Sequence, residues 1–521
     1  MQFKPLFIGC ILSLFTTTLS AQDLPPGLDA YINKVLATFE VPGIGLAVVK
    51  DGKIVLAKGY GVKKMGTRDA VDAHTLFPIA SNSKAFTATA LGLLVEEGKI
   101  QWDDKVIDHL PGFRMSDPFV TSQMTVSDLL VHRSGLAPYV GDLLQFPPSD
   151  YTREQIVQKL RYIPLTTSFR STYAYDNILY LVAGELIKAV SGMEWEDFIR
   201  TRILEKNGML ETISRFSLIK NVTNKAMPHA RFDGQVKPIE YFFEHGFGDV
   251  TNPAGGIVSN ASDMARWLIV QLDSGRTLNG NRLFKPATTN ALWKMITPMP
   301  VPTVHELLKP AQADFAGYGG GFHISNYRSW KTVSHGGKLD GFVSRVLLVP
   351  GMKLGIAILT NQESGSAYYA IINHILDHYM KAPRFDWMQA YKKTETMRFE
   401  AIAAREKQSQ AARDSLSRPS LPLLRYAGTY TDAWYGDVTI THENNQLIMR
   451  FTHTPGLTGR LEHWQYNTFI VRWENRELKA DAYVNFSIDQ DGKIDRVTMK
   501  AVSALTDVSF DFHDLLLLPQ R

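Results

Sequence analysis

The sequence predicts an α+β protein: an antiparallel sheet flanked by helices and carrying a helical lobe, followed by a small antiparallel β-barrel-like domain. Three observations carry this expectation. β-Rich runs stand near both ends of the first 380 residues, a largely helical stretch from about Thr75 to Leu292 lies between them, and the last hundred residues alternate apolar and polar side chains. A chain of 521 residues is too long for one minimal core, so two or more domains are expected.

Taken in order, residues 1–21 read as a secretory leader. Lys4 precedes an apolar stretch from Leu6 to Phe15, followed by small and polar residues up to Ala21. The run is too short for a stable membrane anchor, so a secreted or periplasmic location is expected. Cys10, the sole cysteine, lies inside that leader. A mature chain would therefore lack disulfides, thiol catalysis and cysteine-held zinc. Net charge is +4 with no basic run, which argues against a nucleic-acid partner.

"VPGIGLAVVKDGKIVLAKGYGV", from Val41, reads as two strands around an Asp51-Gly52 turn. "SRVLLVPGMKLGIAILTN" (344–361) repeats the pattern around Pro350-Gly351. Strands this far apart suggest one sheet assembled from distant segments, with residues 22–380 as the catalytic domain. A helix is expected through "SAYYAIINHILDHYM". Residues 381–420 read as a helical linker punctuated by Pro419 and Pro422, and 421–521 as the all-β domain.

The chemistry begins in "FPIASNSKAFTATAL" (77–91), where Ser81 and Lys84 sit three positions apart at the start of an apolar helical run. A lysine at that spacing projects from the same face as the serine. Buried there, it costs several kcal/mol unless paired or deprotonated, which suits proton transfer. The same spacing recurs at Ser217 and Lys220 without the apolar context, as chance allows. Tyr175 and Asn177 precede an apolar helix in "STYAYDNILYLVAGELI". A lysine cation beside a phenol makes its anion more accessible, so Tyr175 and Lys84 together suit removal of a serine proton; a core aromatic with a capping asparagine is the plainer reading. His335 opens "HGGKL", where glycines let a ligand approach the backbone.

Together these segments resemble the serine β-lactamase and penicillin-binding-protein superfamily, in particular its class C β-lactamase-like branch. "SNSK" (81–84), "YDN" (175–177) and "HGG" (335–337) occur in the family's motif order, over a likeness spanning roughly residues 25–380. "LLVEEGKIQWDDKV", "TVSDLLVHRSGL", "NPAGGIVSNASDMARWL" and "YGGGFHI" are similar to its supporting segments. The resemblance implies the β-lactamase/transpeptidase-like fold, with Ser81 as nucleophile forming an acyl-enzyme and Lys84 and Tyr175 managing protons. It implies substrate contacts at Asn177, His335, Gly337 and Lys338, and an oxyanion hole formed by the N–H groups of Ser81 and Lys338. No cofactor or metal is expected.

Many β-lactamases of this branch carry lysine where His335 stands, and Gly336 replaces a hydroxyl residue. The resemblance implies an exported penicillin-binding D,D-carboxypeptidase, D-amino-acid peptidase or β-lactamase-like enzyme, acting on a D-amino-acid peptide, a β-lactam or an ester, and these two positions favour a peptidase, esterase or amidase over a dedicated β-lactamase. A carboxylesterase and a non-catalytic cell-wall-binding relative are the alternatives, and oligomeric state is left open. His374 and His378 have metal-ligand spacing on one helix but lack a third ligand. Arg133, Ser134, Trp434 and Tyr435 are read as structural.

Overall fold

The computed structural model describes residues 24–520; the leader and Cys10 lie outside the described residues. Helix α1 (Leu28–Phe39) leads into β1 (Gly43–Lys50) and β2 (Lys53–Gly61). Asp51 and Gly52 both adopt left-handed φ, +50° and +75°, as the predicted tight hairpin requires. The helical lobe follows, including α2 (Ser83–Glu96), α3 (Ile178–Ser191) and α4 (Ala261–Leu272). The chain then returns to the sheet as β3 (Thr297–Pro298), β4 (Ala316–Tyr318), β5 (His323–Tyr327), β6 (Trp330–Leu339), β7 (Phe342–Val349) and β8 (Leu354–Thr360).

The strand order β2-β1-β8-β7-β6-β5-β4-β3 joins the two ends of this unit, with Ile44 opposite Thr360 and Lys50 opposite Leu354. β1 is buried on both faces. Ile44, Leu46 and Val48 pack with α1 and α5 (Gly365–Tyr379), whereas Ala47 and Val49 join the core of α4 and the helical lobe. The period-two side-chain alternation thus feeds two cores from one strand. Ile356 lies opposite Val48 and is fully buried on the α1/α5 side. Ile356→Ala is expected to lower the unfolding free energy by about 2–5 kcal/mol, measured by denaturant titration.

A 25-residue helix, α6 (Trp387–Ala411), then leaves this unit. Its first turn is anchored by the Trp387 indole, which donates to Asp377 at 2.8 Å; Tyr327 and Arg328 satisfy the same carboxylate. Beyond it stand β9 (Gly428–Asp432), β10 (Gly436–Glu443), β11 (Gln446–Phe451), β12 (Thr458–Gln465), β13 (Thr468–Trp473), β14 (Ala482–Ile488), β15 (Ile494–Ala501) and β16 (Leu518–Pro519). They form an antiparallel sheet in the order β15-β14-β13-β12-β11-β10-β9-β16. Reciprocal hydrogen bonds between Val497 and Leu517, at 2.8 and 3.1 Å, nearly close it into a barrel. Trp434 and Tyr435 are buried where the barrel meets the helical lobe, their carbonyls taken by Lys159 and Tyr151. Among the described residues, no helix is long and apolar enough to cross a membrane, and no cluster of three or more potential metal ligands occurs.

Candidate active site

The site is built on the turn that precedes α2. Ala80 holds a left-handed φ of +50°, a strain of order 1–3 kcal/mol for a residue with a side chain. The surrounding bonds impose it. Asn82 donates to Ser344 Oγ (2.8 Å), Ser344 Oγ donates to the Ile79 carbonyl (2.7 Å), and Ser83 bridges the Ala80 carbonyl and the Ile257 N–H. The two middle residues of "SNSK", which the sequence reading left without a role, therefore fix the turn. Ser81 is left partly exposed at its tip.

Lys84, the second residue of α2, is fully buried and spends three hydrogen bonds. It donates to Ser81 Oγ (3.2 Å), Asn177 Oδ1 (2.6 Å) and the Ala254 carbonyl (2.9 Å). Burial lowers its pKa to about 7, against the opposing pull of Asp142 and Asp176. The Tyr175 phenol is close enough to Ser81 to feel its hydroxyl, and its ring centre is 4.9 Å from the Lys84 ammonium. Burial nevertheless raises the phenol well above its ordinary pKa. The expected phenolate is thus disfavoured, and the lysine amine is the more accessible base.

Asn177 stands at the start of α3, yet its side chain does not cap that helix. Its carbonyl faces Lys84 and its amide donates to Asp142 Oδ2 at 2.8 Å; Asp176 takes the Leu179 N–H instead. Asp142 is buried and its pKa rises to about 7, with Ser509 and Asn177 donating to it. Nothing in the local sequence marked Asp142, because its partners lie in distant segments.

The third motif lies in β6, and its residues diverge. His335 is buried and turned away from the cavity. Its Nδ1 lies 2.6 Å from the Gly336 carbonyl and its Nε2 2.8 Å from the Tyr318 hydroxyl, the pattern of a neutral ring with Nδ1 as donor. Burial holds its pKa well below the usual value. His335, expected as a substrate contact, does not line the cavity: its ring packs among Tyr175, Tyr318 and His323. Gly337 also serves packing. A Cβ there would stand 2.2 Å from the Ile79 carbonyl oxygen and 2.9 Å from the Ala80 side chain, so only glycine lets β6 lie against the turn that carries Ser81.

Lys338 does line the cavity, with Ser81, Asn177 and Asp142. That cavity measures ≈ 440 Å³, counting its solvent-open mouth. The Ser217/Lys220 pair is elsewhere: Ser217 bonds Asp249 and Lys220 pairs with Glu244 on an exposed turn. His374 stacks on Tyr31. Arg133 pairs with Asp128, and Ser134 is buried in the same loop.

A partly exposed serine beside a buried lysine, on a mixed α/β unit with an appended barrel, defines a class, and comparison with known proteins gives the family. The β-lactamase family model matches residues 28–378, and a domain of unknown function, DUF3471, matches 412–518. The chain belongs to the β-lactamase family, which includes penicillin-binding proteins. It is 28% identical over 455 residues to an unguisins hydrolase of Aspergillus campestris, covering 82% of this chain and 80% of that one. It is 26% identical over 333 residues to penicillin-binding protein 4 of Amycolatopsis lactamdurans, covering 63% and 83%. The octameric penicillin-binding protein homologue from Pyrococcus abyssi shares the fold over 94% of this chain and 99% of its own, with TM-score 0.58 and 20% identity. The D-amino acid amidase from Ochrobactrum anthropi does so over 68% and 98%, with TM-score 0.54 and 22% identity.

Proposed function

We propose that the protein is an exported serine hydrolase that cleaves amide or ester bonds of D-amino-acid derivatives through an acyl-Ser81 intermediate. The observation that carries this reading is the buried Lys84 amine 3.2 Å from Ser81 Oγ, with a pKa near neutrality. In the proposed first step, Ser81 Oγ attacks the substrate carbonyl while its proton passes to Lys84. The N–H groups of Ser81 and Lys338 take the developing oxyanion, an arrangement worth several kcal/mol of barrier. The C–N or C–O bond breaks as Tyr175 delivers a proton to the leaving group, and Tyr175 is reprotonated from Lys84. Water then hydrolyses the acyl ester, restoring the Ser81 hydroxyl.

Within the class, a peptidase or amidase is supported over a β-lactamase because the third motif offers a neutral, buried His335 in place of a permanent cation. The D-amino acid specificity rests on the family resemblance and on the fold shared with the D-amino acid amidase. Export rests on the charged and apolar leader. The test is acid-quenched intact-mass spectrometry with D- and L-aminoacyl p-nitrophenyl esters, run beside Ser81→Ala. An acyl adduct on the native protein alone, formed faster from the D ester, is expected. Equal enzymatic turnover by folded Ser81→Ala would overturn the mechanism, and an L preference would overturn the substrate class.

A further inference from the structure

The cavity before Ser81 is completed by the barrel domain, whose Asp507 and Ser509 stand on its wall. They arrive on the segment between β15 and β16. Asp511 anchors that segment by accepting hydrogen bonds from the Gly141 N–H (2.6 Å) and the Leu143 N–H (3.1 Å), on either side of Asp142. Phe510 packs against Phe146 with ring centres 5.6 Å apart. Ser509 Oγ donates to Asp142 Oδ2 (2.7 Å), and the Ser509 N–H donates to Asp507 Oδ1 (3.0 Å). Asp507 Oδ2 in turn holds the Lys338 ammonium at 2.7 Å.

Lys338 is the only cation among the described residues lining this cavity, where Asp142 and Asp507 are the acidic groups. Its charge is therefore already matched. The Lys338 side chain is 48% exposed but the Asp507 side chain only 17%. A substrate carboxylate that took Lys338 would leave the largely buried Asp507 with the Ser509 N–H but no cation, beside a second acid. Unpairing a buried charge costs more than the new surface pair returns.

We infer that Lys338, Asp507 and Ser509 form a specificity subsite, built across both domains, that accepts neutral groups and rejects a free carboxylate. The favoured substrates are then amides, esters and peptide bonds away from a C-terminal carboxylate. This rests on Ser81 being the nucleophile, as proposed above.

The test uses two fluorophosphonate probes with the same alkyl arm, one ending in a methyl ester and one in the free carboxylate. Ser81 Oγ forms the bond to phosphorus, fluoride leaves and the proton passes to Lys84. Labelling rates would be measured on the full-length protein, on Asp507→Asn and on Lys338→Met, with folding checked by circular dichroism. The native protein is expected to react with the ester probe at least about tenfold faster, which corresponds to roughly 1.4 kcal/mol. Asp507→Asn, which frees the ammonium, is expected to erase or invert that ratio, while Lys338→Met keeps the preference for the ester. Equal native rates, or a ratio unmoved by Asp507→Asn, would overturn the subsite while leaving the nucleophile in place. Failure of the ester probe to label Ser81 would overturn the nucleophile reading itself.

Discussion

Lys84→Met is expected to slow acylation of Ser81 by about 10³-fold, within the range for loss of a positioned proton acceptor. The substitution keeps the length of the side chain in its fully buried site, so folding should survive and the loss should appear in kcat/KM. The pH dependence adds an independent readout. With Lys84 titrating at about 7, the free amine falls tenfold per unit below that pH, so kcat/KM should climb through the acid side and level off above neutrality. Asp142 supports the ammonium form, and removing its charge lowers the lysine pKa further. Asp142→Asn should therefore move the acid limb to lower pH. Because Asp142 itself titrates near 7, the native limb belongs to the coupled pair. A limb unchanged in Asp142→Asn would count against Lys84 as the base.

Gly337→Ala is expected to be the next most damaging change. The added methyl would sit 2.2 Å from a backbone oxygen, where no side-chain rotation relieves the clash. Either β6 retreats or the Ile79–Ala80 turn shifts, and both change the position of Ser81 relative to Lys84. A displacement near 1 Å costs about 10²-fold in rate, while overpacking lowers stability by about 1–3 kcal/mol. The expected result is a folded protein, melting a few degrees lower, with labelling of Ser81 slowed far more than its stability explains. Unchanged labelling would show that the turn adapts.

Much of the fold was legible because its signals are local. Asp51-Gly52 marks a hairpin in any context, and alternating apolar residues mark strands wherever they pair. The helical position of Lys84 followed from three-residue spacing and an apolar neighbourhood, which also separated it from Lys220. The functions of the third motif were less legible. His335 and Lys338 share one strand, and which of them faces the cavity depends on strand register and on what packs against each face. His335 finds Tyr318 and the aromatic cluster; Lys338 finds Asp507, 169 residues away. Asp142 and Ser509 are 367 residues apart. Spacing rules reach one helical turn or one strand pair, so contacts between distant segments leave no periodic trace.

The position of β1 between β2 and β8 also has a consequence in time. β1 is flanked by β2, made immediately after it, and by β8, made more than 300 residues later. At ribosomal rates of about 5–20 residues per second, roughly a quarter of a minute to a minute separates the two. Throughout that interval an eight-residue apolar strand offers an open edge to any passing chain. Crowded synthesis should therefore favour aggregates of the nascent protein, and slower initiation at lower temperature should raise the yield of the soluble form.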